Sequence, residues 1–334
     1  MKVTGEGKRF IVAASLIAVA AVNTGNNLIY LILSMMLSLL ILAVLLLKIN
    51  LSGLSAEVFS KPPVFAGEET VLNLHIGNDK RFVKTYSVNC FVTGVQAPVY
   101  IADVLPRKGV ERTVAAKFQR RGLYRYGTLR IRSGFPFIFF YRESMVKASG
   151  EVLVYPGLCD VSDHLGPLTG KGIMAAHILS GSGDEMYSLR EFRYGDDWRR
   201  IHWKVSAKTG ALFVKEYADQ DSTKMTIILD NLLPAGGELF EKAVSLSGSL
   251  ARHFLERGFF VRLISCKKII PFGKGREHLL KILDILAVIR EEDGWDSPGR
   301  DEKDGATVLV LKSRATMRGP DRGVDDMVVY ADSV

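Results

Sequence analysis

Hydrophobic and polar positions divide the chain into regions of different spacing. Residues 28–47 form twenty consecutive positions without a charged side chain, and the run is apolar on all sides. A helix of that length crosses a bilayer, so the run predicts a membrane-spanning helix. An earlier apolar run, residues 10–22, has thirteen positions and as a helix would reach only about 20 Å, which is short of the hydrocarbon core.

The shorter run admits two interpretations. Basic residues before it and small residues at Ala18 and Ala20 are also typical of a cleaved signal peptide. The longer run follows directly after the polar turn 23–27, and this spacing favours an uncleaved hairpin with helices over about 10–24 and 28–48. Basic residues flank the outer ends of the hairpin at Lys2, Lys8, Arg9, Lys48 and Lys61. Because the turn carries no charge, the positive-inside rule predicts a multi-pass protein of the inner (plasma) membrane with a cytoplasmic soluble part.

After the hairpin, the spacing of hydrophobic and polar residues changes twice. Residues 51–155 contain short alternating runs separated by Gly, Pro, Asn and Asp, which predict an antiparallel β-sandwich. Residues 156–222 are polar and carry both charge signs. Across residues 223–334, three strand-like runs alternate with two helical runs, which predicts an α/β domain with a parallel sheet. We therefore expect a multi-domain protein: a two-helix transmembrane hairpin in residues 1–50, the sandwich, the polar segment and the α/β domain.

Composition supports membrane attachment and argues against both a disulfide-bonded module and a zinc-binding module. The chain has 334 residues, 48% of them hydrophobic, with a net charge of +8. That combination is more typical of a membrane-attached protein than of a soluble nucleic-acid binder. Cys90, Cys159 and Cys266 lie far apart and form no C-x-x-C pair, so the sequence predicts neither a disulfide framework nor a structural zinc site.

The densest charge cluster lies in residues 189–217. Asp196 and Asp197 could act as a general acid and base beside His202, since such chemistry needs titratable groups in different environments. The alternative is an ion-pair lattice under Trp198 and Trp203. Its members would be Arg190, Arg193, Arg199 and Arg200 with Glu191, Asp196, Asp197 and Glu216. The mixed signs favour the lattice, which can still form a recognition surface, and they make nucleic acid an unlikely partner.

This segment resembles the hallmark of the domain-of-unknown-function 58 family, which are bacterial membrane proteins. The hallmark is approximately G-x-E/D, then R-E-Y/F-x-x-G-D-D-x-R-x-I-D/H-W-x-x-S-A-R/K, then L-x-V-x-E. The similarity extends to the turn at 24–28, the stretch 120–127 and the VYPG at 154–157. Together with Asp230, which ends the first strand of the α/β domain, the signature defines our candidate interaction residues: Arg190, Glu191, Gly195, Asp196, Asp197, Arg199, Arg200, His202, Trp203, Ser206, Lys208, Glu216 and Asp230.

The resemblance implies a two-helix membrane anchor, a β-rich domain and a C-terminal domain like the von Willebrand factor type A fold. The family is associated with MoxR-type AAA+ ATPases and has no established catalytic residue. The type A metal site uses D-x-S-x-S, whereas Asp230 is followed by Asn231, Leu232, Leu233 and Pro234. Magnesium requires oxygen ligands, and neither Leu232 nor Pro234 has a side-chain oxygen, so we predict no metal and no cofactor.

The expected function is therefore a membrane-anchored cytoplasmic adaptor or assembly factor without enzymatic activity. Its expected partners are a MoxR-type AAA+ ATPase and other membrane proteins, in cell-envelope or protein-complex maturation. Two alternatives stay open. One is a hydrolase or transferase that uses Asp196, Asp197 and His202, and the other is binding of anionic lipid or nucleic acid through the excess of Lys and Arg.

Overall fold

The computed structural model describes residues 1–161, 186–192, 198, 201–217, 224–233, 237–294, 306–312 and 327–333. The chain divides into two compact units, Met1–Val154 and Tyr155–Val334, and each is described by itself.

The first unit begins with a short strand and two helices. Strand β1 is Lys2–Val3, helix α1 is Gly5–Thr24 and helix α2 is Asn27–Asn50. Helix α1 begins about five residues before the predicted position, because the Thr4 hydroxyl accepts a hydrogen bond from the Gly7 N–H and caps the helix. Among the described residues, α2 is the one helix long and apolar enough to cross a membrane. A second spanning helix stays a prediction.

The polar turn between the helices consists of two caps. Gly25 has φ 63°, in the left-handed region that glycine adopts readily, and its N–H donates to the Ala21 carbonyl to end α1. The Asn26 side chain accepts from the Leu28 N–H and starts α2. The two helices pack against each other in antiparallel order.

Ten further strands form the β-rich part of this unit. They are β2 Leu54–Ser60, β3 Val64–Phe65, β4 Glu69–Asn78, β5 Thr85–Phe91, β6 Val99–Val104, β7 Gly109–Lys117, β8 Gly122–Arg125, β9 Thr128–Ser133, β10 Phe140–Ser149 and β11 Glu151–Tyr155. The main sheet has the order β6-β5-β9-β10-β2-β4-β7, and β1 joins it by pairing with β10. A small sheet has the order β3-β11-β8.

The predicted β-rich region is confirmed, but the antiparallel sandwich is not. Edge strands β6 and β7 approach each other, so the main sheet curls into a near-barrel. The pairing of β10 with β2 is parallel, whereas the other pairs of this sheet are antiparallel. Alternating side chains such as Leu54, Ala56 and Val58 point into the core, as the period of two requires.

The second unit contains an antiparallel strand pair followed by an α/β sheet. Its elements are β12 Met186–Glu191, α3 Trp203–Thr209, β13 Phe213–Tyr217, β14 Lys224–Leu229, α4 Gly237–Glu256, β15 Phe260–Ile264, β16 Ile269–Gly273, α5 Arg276–Val288, β17 Ala306–Leu311, β18 Met327–Tyr330 and a short 3-10 helix Ala331–Ser333. The larger sheet has the order β16-β15-β14-β17-β18.

This sheet is parallel except for its edge strand β16, which the sequence pattern did not predict. Only residues 265–268 connect β15 to β16, and a parallel crossover needs a dozen or more residues, so the pairing has to be antiparallel. Helix α4 packs on β14, β15 and β17 around buried side chains such as Met225, Val261 and Val308. The predicted α/β sheet is confirmed, while its assignment to the type A fold stays a prediction.

The chain enters the second unit through a segment that packs along α4. The Cys159 N–H donates to the Ser249 hydroxyl at 2.9 Å, and the Ser245 hydroxyl donates to the Gly157 carbonyl. A Cβ added at Gly248 would lie 3.0 Å from Cδ2 of Leu158, so the segment approaches the helix closely at this contact. The first residues of the predicted polar segment 156–222 therefore pack closely against α4.

Candidate functional site

The carboxyl ends of β14 and β17 mark the point where the sheet reverses its strand order. From β14 the chain crosses to β15 on one side, and β17 later pairs on the other side. Open α/β sheets bind ligands in the crevice outside such a switch point. Asp230 follows β14 and Lys312 follows β17, so the two side chains meet at this edge.

Asp230 is buried, with only 1% of its surface exposed. Its Oδ1 accepts a hydrogen bond from the Leu232 N–H at 3.1 Å, while its Oδ2 finds no donor among the described residues. Burial raises the pKa of this carboxyl group, although the Leu232 N–H and the charge of Lys312 both lower it. The Leu232 N–H and the Lys312 charge therefore offset only part of the cost of burying the ionised carboxylate.

Lys312 places a positive charge inside the same edge and is also 1% exposed. Its ammonium donates to the Leu232 carbonyl and lies 3.6 Å from Oε1 of Glu291, just beyond α5. The ammonium also lies 5.8 Å from the centre of the Phe240 ring on α4, a favourable position for a cation. We call Asp230, Glu291 and Lys312 the edge cluster.

Asn231 holds the edge cluster in place. Its Nδ2 donates to the Arg290 carbonyl at 2.8 Å, and its Oδ1 accepts from the Cys266 N–H at 2.8 Å. The side chain thus connects the end of β14 to the segments after β15 and α5. Burial raises the pKa of the Cys266 thiol to about 11, so at neutral pH this cysteine is a protonated thiol and a poor nucleophile.

The metal site of the type A fold does not fit this edge. No group of three or more His, Cys, Asp or Glu side chains suited to a metal occurs in the described part of the chain. The Leu232 carbonyl, a possible oxygen ligand, already accepts from the Lys312 ammonium. That ammonium also supplies the positive charge that a bound cation would bring to Asp230.

In the signature segment, His202 has a structural role that the sequence did not reveal. It is the N-cap of α3, where its Nδ1 accepts from the Val205 N–H at 3.3 Å. The backbone N–H of His202 donates to the Phe213 carbonyl at 2.7 Å, and the backbone N–H of Phe213 donates to the buried hydroxyl of Ser206 at 2.8 Å. Both predicted residues therefore join α3 to β13. An N-cap needs a side-chain acceptor, and the His202 ring supplies it here.

Trp203 and Trp198 remain largely exposed, at 62% and 66% of their surface. Trp203 is the first residue of α3. Large exposed aromatic side chains are typical of protein interfaces, where they contribute apolar area at low entropic cost. These two indoles are the clearest candidates for a contact surface in the signature segment.

Many members of the predicted charged network lie outside the described residues: Arg193, Gly195, Asp196, Asp197, Arg199 and Arg200. Arg190 and Glu191 belong to β12, Lys208 belongs to α3 and Glu216 belongs to β13, where Arg190 pairs with Val214 and Glu191 pairs with Phe213. The ion-pair lattice and the acid/base alternative both stay predictions.

Sequence reasoning identified Asp230 but missed its partners, Glu291 and Lys312. Lys312 follows the apolar run VLVL directly, as Asp230 follows MTIIL. A polar residue that ends a buried parallel strand lies at the carboxyl edge of the sheet, so this signal was present. Glu291 gave no comparable signal, because it reaches the edge only through the packing of α5.

The second unit thus defines a class of protein: an α/β sheet with charged side chains at its carboxyl edge, preceded by a β-α-β signature segment. Residues 188–309 match the family model described as "Protein of unknown function DUF58". This segment is therefore similar to the domain-of-unknown-function 58 family, and the resemblance seen in the sequence is confirmed over these residues. The match runs from β12 into β17 and includes His202 and Asp230.

Two other comparisons give similar proteins. The "Uncharacterized protein YeaD" of Bacillus subtilis is 24% identical over 177 residues, which cover 50% of this chain and 43% of that protein. The chain thus matches less than half the length of this relative. The solution structure of the CARDB domain of PF1109 from Pyrococcus furiosus covers 29% of this chain and 94% of its own, at 11% identity and a TM-score of 0.17. So low a TM-score carries no conclusion about the fold.

Proposed function

We propose that this protein is a membrane-anchored adaptor or assembly factor without enzymatic activity. Helices α1 and α2 form a hairpin in the plasma membrane, and the rest of the chain lies in the cytoplasm. There it binds a MoxR-type AAA+ ATPase and other membrane proteins during cell-envelope or protein-complex maturation. One observation supports this anchor: both outer ends of the helix pair make hydrogen bonds to the β-rich unit.

The first end is held by β1 and Thr4. Lys2 and Val3 pair with Tyr141 and Phe140 of β10. The Thr4 N–H donates to the Phe139 carbonyl at 3.0 Å. Cleavage of a signal peptide near Ala20 would remove this strand and its contacts, which supports the uncleaved hairpin over the signal peptide.

The second end is held by Asn50, the last residue of α2, which is 3% exposed. Its Nδ2 donates to the Tyr86 carbonyl at 2.7 Å and to the Ser133 hydroxyl at 3.0 Å, and its Oδ1 accepts from the Tyr86 N–H at 2.7 Å. Lys80 donates to the terminal carbonyls of α2, those of residues 49 and 50, and to the Thr85 hydroxyl. We call Asn50, Lys80, Thr85 and Ser133 the anchor cluster.

A helix pair whose two ends return to one unit crosses and recrosses a membrane, or does not cross at all. The length and apolarity of α2 favour crossing, and the uncharged turn 23–27 opposite Lys8, Arg9 and Lys48 favours a cytoplasmic soluble part.

The adaptor role is supported by the edge cluster and by the exposed indoles. In this chain the crevice where α/β sheets bind ligands contains a lysine and two carboxylates. Trp198 and Trp203 instead offer apolar area to a partner. The MoxR-type ATPase is the partner implied by the family resemblance.

Membrane topology is tested with single cysteine substitutions in the full chain. Gly5→Cys, Asn23→Cys and Ser52→Cys replace exposed residues at the start of α1, in the last turn of α1 and after α2. In intact cells a membrane-impermeant maleimide should label Asn23→Cys alone, and the other two only after lysis. The unsubstituted chain is the background control, because it retains the buried Cys90 and Cys266 and the partly buried Cys159. Labelling of Gly5→Cys in intact cells would contradict the hairpin.

Partner binding is tested by capture of the ATPase on full-length chain in nanodiscs, with ATP or with ADP. Trp203→Ala should weaken capture about tenfold, since truncating an interface tryptophan costs well over 1 kcal/mol. Tyr100→Ala is the matched control, an exposed aromatic in the first unit that is 56% exposed. Equal capture by the two variants, or capture that ignores the nucleotide, would count against this surface and this partner.

A further inference from the structure

The loops at one end of the β-rich unit surround the base of the two helices. Strand β2 leads away from α2, and its pairing with β4 and β10, together with the pairings of β5, β6, β7 and β9, fixes the direction of each strand. Loops 79–84, 105–108 and 134–139 therefore lie on the side of the helices. We call these three loops the helix-side rim. Loops 61–68, 92–98 and 118–121 lie at the opposite end.

The helix-side rim contacts α1 at the point where the helix changes from charged to apolar residues. The Phe139 ring stacks on Phe10 with ring centres 4.4 Å apart, and Phe137 stacks on Phe139 at 5.7 Å. Phe10 begins the apolar run of α1 and directly follows Lys8 and Arg9. In a membrane-spanning helix this transition marks the headgroup layer, where aromatic residues concentrate.

The helix-side rim exposes large apolar side chains. The exposed fractions are 79% for Phe82, 64% for Ile138, 45% for Val83, and 38% for both Leu105 and Phe137. The three loops at the opposite end, all of them described, expose no large hydrophobic side chain. The apolar side chains of those loops, such as Val64, Val92 and Phe118, are buried. The two ends share one sheet, so the difference reflects the surroundings of each end.

Charge differs in the same direction but less sharply, with a net charge of +4 in the helix-side rim and +2 in the three opposite loops. The helix-side rim carries five basic residues and one acidic residue: Lys80, Arg81, Lys84, Arg107, Lys108 and Asp79. Arg81 and Lys84 flank the exposed pair Phe82 and Val83, and the Arg81 guanidinium lies 4.9 Å from the Phe82 ring centre. Basic residues beside exposed aromatics are suited to a layer that is apolar inside and anionic at its surface.

We propose that the helix-side rim is seated in the anionic headgroup layer of the membrane that α1 and α2 enter. Its apolar side chains lie among the acyl chains near the surface, and Arg81 and Lys84 bind lipid phosphates. The inference rests on the membrane anchor proposed above. It adds that the β-rich unit is held against the bilayer by its own surface, and that phosphatidylglycerol or a similar acidic lipid is its ligand.

The test uses the full chain in nanodiscs and a tryptophan placed in the rim. Phe82→Trp adds fluorescence at the rim, and Phe59→Trp is the matched control on β2 at the opposite end, where Phe59 is 42% exposed. The native tryptophans contribute equally to both variants and are subtracted with the unsubstituted chain. Brominated phosphatidylcholine should quench the fluorescence added by Phe82→Trp and leave that added by Phe59→Trp unchanged.

Lipid charge is tested by comparing nanodiscs of phosphatidylcholine alone with nanodiscs that contain about a quarter phosphatidylglycerol. Quenching at Phe82→Trp should be stronger with the acidic lipid. Arg81→Gln with Lys84→Gln should abolish that difference, whereas Lys117→Gln with Arg120→Gln, at the opposite end, should preserve it. A difference that survives the rim substitutions would overturn the assignment of Arg81 and Lys84.

Two further results would overturn the proposal. Fluorescence from Phe82→Trp that iodide quenches and brominated lipid does not would show that the rim faces water. Protection from both quenchers would show that protein covers the rim, for instance a second copy of the chain. Failure of the anchor itself is seen separately, because the chain would then not co-elute with nanodiscs at all.

Discussion

Each unit of the molecule buries a group of polar side chains, and the two groups differ in how fully they are paired. In the anchor cluster, the Asn50 amide donates two hydrogen bonds and accepts one, and Lys80 donates to the end of α2. In the edge cluster, two carboxylates share one ammonium, and Oδ2 of Asp230 has no donor among the described residues. The two groups of polar side chains therefore have different roles. The anchor cluster fixes geometry, and the edge cluster concentrates charge at a position where related folds bind ligands.

This difference has an energetic meaning. A buried group with all its hydrogen bonds made contributes modestly to stability, but losing one partner leaves the others unsatisfied. A buried ion group depends on the balance of its charges, because each charge was removed from water at considerable cost. The two clusters should therefore respond differently to substitution.

The largest effect is expected for Lys312→Met. The substitution keeps the volume but leaves the buried Asp230 and the partly buried Glu291 without their cation, which should destabilise the second unit by about 3–5 kcal/mol. All three tryptophans of the chain, Trp198, Trp203 and Trp295, lie in this unit, so the urea midpoint of tryptophan fluorescence measures the loss. Adding Asp230→Asn should recover part of it. A single variant as stable as the parent chain would show that the ammonium does not balance the carboxylates.

A smaller effect is expected for Asn50→Ala. The change leaves the Tyr86 N–H and carbonyl without their partner and should cost about 2–3 kcal/mol in the first unit. Hydrogen exchange of the β5 and β9 amides should accelerate, while the tryptophan transition of the second unit stays in place. Asn73→Ala is the control, since the Asn73 carboxamide accepts from Thr113 at an exposed position. Equal acceleration in both variants would mean that the buried hydrogen bonds of Asn50 stabilise the unit no more than the exposed one of Asn73.

The smallest effect is expected for Asp230→Asn, and it depends on pH. Burial raises the pKa of Asp230 above its ordinary value of 3.8, so folding favours the protonated carboxyl group. The corresponding stability is fully present below pH 3.8 and is lost as pH rises through the folded pKa. The amide cannot ionise but can still accept from the Leu232 N–H. The variant should therefore match the parent in acid and exceed it at neutral pH, as read from the tryptophan transition. A constant difference at every pH would contradict the raised pKa.

Much of the element order could be predicted from the sequence. The twenty-residue apolar run predicted α2, and alternation predicted the β-rich region and the later α/β sheet. The strand β16 was missed because its run IIPFG is short and contains Pro and Gly, both of which weaken a strand signal. The near-barrel was missed because alternation shows which side of a strand is buried and does not show which strands become neighbours.

The candidate site divides in the same way. Asp230 could be placed at the carboxyl edge because a charged residue after a buried strand is a local signal. His202 was assigned to a polar centre, yet its ring caps α3, and capping depends on where the chain turns. Asn50 lies beyond the predicted end of the second helix at about residue 48, although it is the centre of the anchor cluster.

The sequence by itself determined the periods, the caps and the charge distribution, because these depend on residues a few positions apart. Only the tertiary structure decided that Lys2 and Asn50 return to one unit, and that Lys312 meets Asp230 eighty-two positions earlier in the chain. Contacts between distant residues form where they bury more surface and satisfy more polar groups than the competing arrangements. That is a property of the whole fold, which no local pattern contains.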